Sequence, residues 1–183
     1  MNVYKEDYIL KNGTTITIRY PKVEDAEAII QLIKAADSES LFLAREPEEF
    51  QISIEEEQRM ISGITSSEGR TWFIAEYQNE IVGQASIGYI RNNLRYYHRA
   101  SVAFILLKKF WGMGIGGKLM ESCLKWANKY HVEKLELDVV TDNARAIKMY
   151  EGFGFRKTGT IHNALKYADG SYADEYLMEL FLR

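Results

Sequence analysis

The N-terminal part of the chain carries the apolar spacing of a strand pair followed by two helices. Two β-prone runs flank Asn12-Gly13, a pair typical of a tight hairpin turn. Apolar residues then repeat with helical spacing, and Ser53 with Glu56 forms a capping-box pattern at the start of a second helix. The predicted elements are strands over 8–10 and 15–20, a helix over 24–36, an acidic loop over 37–51, a helix over 54–61 and a linker over 62–70.

The rest of the chain predicts mainly strands, with two helices between them. Leu135, Leu137 and Val139 alternate with charged residues, which is the period of a strand. Because this strand follows a helix, we expect it to lie parallel to the strand before that helix, joined by a right-handed crossover. Asp169-Gly170 marks a last hairpin turn. The predicted elements are strands over 72–77, 81–90, 96–107, 134–139, 155–166 and 172–182, a helix starting at Ile115 and a short helix capped by Asp142-Asn143.

A glycine cluster joins the strand over 96–107 to the helix that starts at Ile115. Glycine has no Cβ atom, so the backbone there can turn sharply and approach a ligand closely. The N-terminus of a helix presents N–H groups that have no partner within the helix, and its dipole favours negative charge. The order of strand, glycine turn and helix therefore predicts an anion site suited to a phosphate. The cluster consists of Gly112, Gly114, Gly116 and Gly117.

Three phosphate-binding turns fit this stretch on the glycine pattern alone. Residues 112–117 satisfy the dinucleotide pattern G-x-G-x-x-G, with Asp138 about 20 residues further on. They also satisfy the P-loop pattern up to Lys118, but Leu119 stands where a Ser or Thr must bind magnesium. The third is a turn for the pyrophosphate arm of coenzyme A. The dinucleotide pattern normally follows the first of several parallel strands, whereas here it follows an antiparallel meander, which disfavours that interpretation.

Composition adds limits on the class of protein. At 183 residues, with 46% hydrophobic and 27% charged residues, the chain can fill one core, and we expect a single domain over 1–183. A net charge of −3 argues against a nucleic-acid partner. Cys123, on the apolar face of the glycine-led helix, is expected to be a small buried hydrophobe. No apolar run approaches membrane-spanning length and no secretory segment opens the chain, so we expect a cytoplasmic protein with no membrane partner. We also expect no metal site.

Two separated motifs resemble the GCN5-related N-acetyltransferase (GNAT) superfamily. One is Trp111-Gly-Met-Gly-Ile-Gly116, similar to the family's Gln/Arg-x-x-Gly-x-Gly/Ala, with Trp111 at the Gln/Arg position. The other is Asn143-Ala-Arg-Ala146-Ile-Lys-Met-Tyr150-Glu-Gly-Phe-Gly-Phe155, similar to Asn-x-x-Ala-x-x-x-Tyr-x-x-x-Gly-Phe. The resemblance covers nearly the whole chain. It implies the α/β (α+β) acyl-CoA N-acyltransferase fold: a mixed, mostly antiparallel sheet with helices on both faces and a central parallel pair splayed by a bulge.

The resemblance implies acetyl-CoA as the cofactor and assigns roles to residues of both motifs. Amides of the glycine turn would hold the pyrophosphate, Trp111 would contribute mainly through its backbone, and the backbone N–H of Leu106 would donate to the thioester oxygen. Tyr150 resembles the general acid that protonates the leaving thiolate, and Asn143 resembles an Asn that contacts coenzyme A. The implied cofactor-binding residues are Ile105, Leu106, Leu107, Trp111, Gly112, Met113, Gly114, Ile115, Gly116, Gly117, Asn143 and Tyr150.

The acceptor is less defined than the cofactor. The C-terminal segment 169–178 resembles the subgroup that acetylates amino acids, polyamines and protein N-termini. A small-molecule primary amine is therefore the expected acceptor, and a protein N-terminal acetyltransferase or a non-catalytic acyl-CoA sensor are the alternatives. Glu46, Glu49 and His162 are candidates for binding it, and the family's frequent homodimers are compatible with the aromatic-rich strands. A general base is left open between a water relay and the following side chains: Glu46, Glu49, Glu76, His98 and Asp138.

Overall fold

The computed structural model describes residues 4–182 of the chain. Over these residues it forms eight strands and four helices, with short 3-10 turns between some of them. No helix in this range is both long enough and apolar enough to cross a membrane. The elements are β1 (Lys5–Ile9), β2 (Thr15–Arg19), α1 (Ala26–Glu39), α2 (Ile54–Thr65), β3 (Arg70–Tyr77), β4 (Glu80–Tyr89), β5 (Arg99–Leu106), α3 (Ile115–Lys129), β6 (Lys134–Val140), α4 (Ala144–Gly152), β7 (Arg156–Lys166) and β8 (Tyr172–Phe181).

The chain divides into two compact units, and β5 contributes residues to each of them. The first unit contains Met1–Gly88 and Ala103–Trp126, and the second contains Tyr89–Val102 and Ala127–Arg183. In the first unit the strand order is β1-β2-β3-β4, with every one of these neighbours antiparallel. The end of β5 lies beside β4, because the N–H group of Leu107 donates to the carbonyl of Val82 at 3.0 Å. The expected single domain over 1–183 stays a prediction.

Helices cover both faces of the sheet in the first unit. A Cβ built on Gly83 of β4 would lie 3.5 Å from Leu119 of α3, which places α3 on the face that carries Gly83. The next residue along β4 faces the other way. That opposite face also carries Arg19 of β2, whose guanidinium binds the carboxylate of Asp25 at 2.7 Å, at the start of α1. The start of α1 therefore lies on the face opposite α3, and α2 packs against α1 and β3.

The second helix is longer than the sequence predicts, because its last turn is stabilised by hydroxyl groups. Its start is as expected: the Ser53 hydroxyl accepts the N–H of Glu56, and the Glu56 carboxylate accepts the N–H of Ser53 at 2.9 Å. At its end the hydroxyl of Thr65 donates to the carbonyl of Ile61 at 2.9 Å, and the hydroxyl of Ser66 donates to the carbonyl of Ser62 at 3.0 Å. These bonds stabilise a last turn that the predicted linker over 62–70 had treated as irregular, so that prediction was wrong over 62–65.

The second unit contains the parallel strand pair. Arg99 to Ser101 of β5 pair in parallel with Lys134 to Glu136 of β6, and the remaining order is β6-β8-β7 with antiparallel neighbours. The strand starts at Arg99 and not at 96 because residues 94–96 form a 3-10 turn. Among the described strands this is the parallel pair, so the expected mixed, mostly antiparallel sheet is confirmed. The bulge expected to splay this pair stays a prediction.

The core of the first unit includes the cysteine of the chain. Cys123 of α3 is fully buried, and burial raises the pKa of its thiol far above the ordinary value. A fully buried thiol of this kind is a poor nucleophile. The prediction that Cys123 is a small buried hydrophobe is therefore confirmed.

The contact at Gly83 makes a testable prediction about stability. We expect Gly83→Ala to lower the free energy of unfolding by about 1–3 kcal/mol, because overpacking a filled core has that cost. The new Cβ would lie 2.8 Å from Leu106 Cδ1 and 3.0 Å from the backbone oxygen of Ile105. Urea denaturation measures the change.

Gly63 of α2 supplies the matched control, since a Cβ there meets nothing within 4 Å. Gly63→Ala should raise the free energy of unfolding by about 0.5–1 kcal/mol through helix propensity alone. Shifts of the same sign in the two variants would contradict this account of the packing between β4 and β5.

Candidate functional site

The glycine turn has the geometry of an anion site. Gly112 and Gly114 have φ values of +80° and +92°, which side-chain-bearing residues rarely adopt. The first intrahelical bond of α3 is donated by Lys118 to the carbonyl of Gly114, at 3.2 Å. The N–H groups of residues 115–117 therefore precede the helical ladder, as the first turn of any helix requires. Because a Cβ on Gly112 would meet nothing within 4 Å, the turn leaves room for a ligand close to its backbone.

The end of β5 presents a backbone donor next to this turn in the chain. The N–H and C=O groups of successive strand residues point to opposite edges. Since Leu107 donates toward β4, to Val82, the N–H and C=O groups of Leu106 point to the edge of β5 away from β4. This is the orientation that the sequence-predicted role of the Leu106 N–H requires. The role itself stays a proposal.

The side chain of Trp111 makes two contacts that the sequence analysis did not predict. Its indole Nε1–H donates to the carbonyl of Leu106 at 2.8 Å, so the side chain returns to the end of β5. The same ring stacks on Phe42, with ring centroids 6.4 Å apart and planes at 25°. Phe42 lies in the loop between α1 and α2. The only signal for this in the sequence is an aromatic residue where the family pattern has Gln or Arg.

The rival interpretations of the glycine pattern do not fit the structure. A P-loop needs a lysine available for phosphate, but the ammonium of Lys118 is ion-paired with the carboxylate of Glu121 at 2.8 Å. A dinucleotide fold needs several parallel strands, whereas the parallel pairing within residues 4–182 is between β5 and β6. Neither observation disfavours the coenzyme A interpretation, which stays a proposal.

The second motif forms α4 of the second unit. The amide oxygen of Asn143 accepts the N–H of Ala146 at 3.2 Å, so this residue is the N-cap of the helix, as the sequence predicts. Tyr150 is 7% exposed, and its ring centroid lies 5.8 Å from that of Phe155. Gly154, with φ at +96°, ends the helix. These contacts show a well-packed helix, while the acid role of Tyr150 and the coenzyme A contact of Asn143 stay proposals.

The acceptor candidates are held by local contacts. The carboxylate of Glu49 accepts the N–H of Glu46 at 2.8 Å and closes a 3-10 turn over residues 47–49, so the two lie together. In the second unit, Nδ1 of the exposed His162 lies 2.9 Å from the carboxylate of Asp174. An imidazole with a carboxylate partner is held in orientation. The role of all three residues in acceptor binding stays a proposal.

Two of the base candidates differ clearly in their surroundings. The carboxylate of Glu76 is ion-paired with Arg19 at 2.9 Å and is therefore occupied. Asp138 on β6 has a raised pKa, first because it is partly desolvated and second because of the negative charge of Glu136. Glu175 on β8 also has a raised pKa, through partial burial and the charge of Asp138. Carboxyl groups with raised pKa values are better proton acceptors, but the base stays open.

Sequence reasoning missed a buried carboxyl group in α2. Glu57 is 1% exposed and lies on the core-facing stripe with Ile61 and Ile64. Among the described residues its Oε1 atom has no hydrogen-bond partner, and burial raises its pKa. Its spacing from the two isoleucines, four and seven positions, was the signal in the sequence. By contrast, the buried carboxylate of Asp37 in α1 is ion-paired with Arg45 at 3.1 Å.

Comparison with known proteins places the chain in a family. Residues 18–177 match the acetyltransferase (GNAT) domain family, so the chain belongs to the GNAT acetyltransferases and the resemblance of its two motifs is confirmed. It is similar to the L-amino acid N-acetyltransferase of Escherichia coli, with 31% identity over 108 residues that cover 57% of this chain and 64% of that protein. The match therefore spans less than two thirds of that relative. The N-alpha-acetyltransferase of Saccharolobus solfataricus is 31% identical over 120 residues, covering 60% of this chain and 68% of that protein.

Solved structures show the same fold at low sequence identity. A GNAT acetyltransferase of Streptococcus pneumoniae superposes with a TM-score of 0.86 at 23% identity, covering 91% of this chain and 99% of that one. A Salmonella typhimurium protein solved with its cofactor acetyl-CoA has a TM-score of 0.80 at 18% identity, and the match covers 92% of this chain and 94% of that one. The predicted acyl-CoA N-acyltransferase fold class is confirmed.

The buried carboxyl group of Glu57 makes stability depend on pH. Burial raises the pKa of this carboxyl group in the folded chain. At a pH above the pKa of the same group in the unfolded chain, ionisation therefore stabilises the unfolded chain more than the folded one. We expect Glu57→Gln to raise the melting temperature at pH 7 and to leave it nearly unchanged at pH 4. A gain of ~1 kcal/mol corresponds to about 2–4 °C for a chain of this size. Calorimetry at the two pH values measures it.

Asp37→Asn is the matched control, since the buried Asp37 carboxylate has a guanidinium partner in Arg45. That substitution should lower the melting temperature at pH 7, because it removes one side of a charged hydrogen-bonded pair worth about 1–3 kcal/mol. Destabilisation by Glu57→Gln at pH 7 would show that Glu57 has a stabilising partner after all.

Proposed function

We propose that this chain moves an acetyl group from acetyl-CoA to the primary amine of a small molecule, such as an amino acid or a polyamine. The observation that carries the proposal is the strand, glycine turn and helix N-terminus of the first unit, with the outward N–H of Leu106 at the end of the strand. It is supported by membership of the GNAT family and by the name of the Escherichia coli relative. A cytoplasmic location and a homodimer stay predictions.

The residues of the glycine turn fit a diphosphate. The N–H groups of residues 115–117 and the dipole of α3 offer donors and positive potential, and the open space above Gly112 admits a bulky anion. When bound, acetyl-CoA would supply an activated acetyl thioester. The edge of β5 at Ile105, Leu106 and Leu107 would bind its peptide-like arm, as a strand edge binds an extended peptide.

The chemistry joins an amine nitrogen to the thioester carbon and breaks the carbon–sulfur bond. The N–H of Leu106 would donate to the carbonyl oxygen as negative charge builds on it. The phenol of Tyr150 would give its proton to the leaving thiolate, whose basicity is similar to its own. The incoming ammonium must first lose a proton, to a side chain or to a water relay. These roles of Leu106 and Tyr150 rest on the motifs of the family and on the orientation of the β5 edge.

Acetylation of a protein N-terminus is the second candidate, and the Saccharolobus solfataricus relative favours it by its name. A peptide amine and a small amine present the same nucleophile, so the chemistry proposed above serves both. They differ in the groove that the acceptor needs. Glu46, Glu49 and His162 are proposed to contact the acceptor in either case, since carboxylates attract a cationic amine.

A panel of acceptors with acetyl-CoA tests the function. Amino acids, polyamines, aminoglycosides and short peptides are mixed with the chain, and released thiol is measured. We expect thiol release with amines and none with Gly114→Glu, because that change places bulk and negative charge where phosphate should rest. Gly114→Ala is the control for backbone strain, since Gly114 has φ at +92° and a Cβ there meets only Leu10, at 4.0 Å. Normal affinity of Gly114→Glu for coenzyme A in calorimetry would contradict the assignment of the anion site.

Tyr150→Phe tests the general acid separately. The substitution removes one hydroxyl and keeps the buried ring, so we expect the fold to persist. The rate constant kcat should fall by about 100-fold or more, the range for loss of a general acid, while coenzyme A affinity stays nearly constant. An unchanged kcat with a good acceptor would show that Tyr150 is not the acid. Tight acetyl-CoA binding with no transfer by the unaltered chain would favour a non-catalytic sensor.

A further inference from the structure

The indole of Trp111 changes which backbone groups the end of β5 offers. Leu106 points both its N–H and its C=O to the edge away from β4, as derived from the bond between Leu107 and Val82. The indole Nε1–H already occupies that carbonyl at 2.8 Å. A strand edge normally offers a donor and an acceptor at each outward residue. At Leu106 the indole already uses one of the two acceptor positions of the carbonyl, whereas the N–H faces the same edge as a donor.

The same indole is connected to the loop between α1 and α2. It stacks on Phe42, and Arg45 of that loop binds the buried Asp37 of α1. The end of α1 is also tied to this region, because the carboxylate of Glu39 accepts the N–H of Lys108 at 2.8 Å. Two separate contacts therefore join the segment 108–111 to α1 and its following loop. Glu46 and Glu49, the acceptor candidates, lie a few residues further along that loop.

We propose that Trp111 is a positioning residue with two effects on the transfer reaction. Because its indole N–H is bonded to the Leu106 carbonyl, the edge at Leu106 favours a ligand carbonyl that accepts the Leu106 N–H, such as the thioester C=O. It disfavours a ligand N–H, which would need the carbonyl. By stacking on Phe42, its ring orders the loop that carries the acceptor candidates. This inference rests on the proposed function. It adds a role for the side chain of Trp111, whereas the family resemblance implies a contribution mainly through its backbone.

Separate substitutions distinguish the two effects. Trp111→Phe keeps an aromatic ring for Phe42 and removes the N–H donor. Trp111→Gln keeps a donor, and places the residue type of the family pattern, but removes the ring. Phe42→Leu removes the stacking partner and leaves the indole in place. Each variant is first checked by thermal melting, so that a folding defect in one of them leaves the other two as the test.

Binding and kinetics give different readouts for the two effects. For Trp111→Phe we expect the preference for acetyl-CoA over coenzyme A in calorimetry to fall, and kcat to fall about tenfold, as for loss of one hydrogen bond. Affinity for coenzyme A itself should change less than twofold, because the glycine turn is intact. Phe42→Leu should raise KM for the amine several-fold and leave kcat nearly unchanged. Trp111→Gln should have a higher kcat than Trp111→Phe, because it keeps a donor. It should also have the raised KM for the amine that is expected of Phe42→Leu, because it lacks the ring.

Two results would overturn the inference. Equal effects of Trp111→Phe and Trp111→Gln on kcat and on the acetyl-CoA preference would show that the indole N–H has no specific role. Loss of coenzyme A affinity in Trp111→Phe, to the extent expected of Gly114→Glu, would show that Trp111 only supports the turn. The binding preference needs no turnover. If the unaltered chain bound acetyl-CoA and acetylated no amine, the proposed function would be wrong. The effect of Trp111→Phe on the preference for acetyl-CoA over coenzyme A would still test the role of Trp111.

Discussion

The hydrogen bond from the N–H of Leu107 to the carbonyl of Val82 fixes the arrangement on which the candidate site depends. It sets the register of β5 against β4, and register decides which backbone groups face outward. With this bond in place, Leu106 must present its N–H and C=O to the other edge. The absence of a side chain at Gly83 permits the close approach, since any Cβ there would press on Ile105 and Leu106. The glycine turn then follows within a few residues, so its position along the chain is tied to the same register.

Charged groups in the interior are handled in two different ways. Arg19 joins Asp25 and Glu76, which links β2 and β3 to the start of α1, and Asp37 is neutralised by Arg45. These buried or half-buried carboxylates have guanidinium partners, which offset their loss of hydration. Glu57 is also buried, but among the described residues its Oε1 atom has no hydrogen-bond partner, and burial raises the pKa of its carboxyl group. A group of this kind reduces stability at neutral pH, and proteins often tolerate such a cost where a polar group serves another purpose.

Much of the fold followed from patterns in the sequence, because each pattern reflects a local physical requirement. Asn12-Gly13 predicted the first hairpin, Ser53 with Glu56 predicted the start of α2, and Asn143 predicted the cap of α4. The predicted ends of elements were wrong where the contacts that set those ends leave no repeating pattern in the sequence. Hydroxyl bonds from Thr65 and Ser66 extended α2 into an apparent linker, and a 3-10 turn delayed β5 to Arg99.

The roles of the candidate site residues stay predictions, but some features of their geometry could be expected from the sequence. The glycine turn could be named because a strand, glycines and a helix in this order leave amides unpaired. Leu106 was named from the resemblance to the family, and its role stays a proposal. The bond from Trp111 to Leu106 and the stacking on Phe42 could not be named, since both depend on how a turn folds back on itself. Glu57 shows the converse case. Its place on the apolar stripe of α2 was visible, but only the packing reveals that its Oε1 atom has no hydrogen-bond partner within residues 4–182.

The ion pair between Lys118 and Glu121 has a consequence for how an anion would be held. Because Lys118, which directly follows the glycine turn in the chain, is ion-paired with Glu121, the fixed amide dipoles at the helix start would supply attraction that does not depend on this lysine. Such dipoles act over a few ångströms and carry no net charge, so few counterions need to be displaced when an anion arrives. Ionic strength would then influence binding chiefly through the charge of the incoming molecule, and the turn would select shape and close fit over simple negative charge.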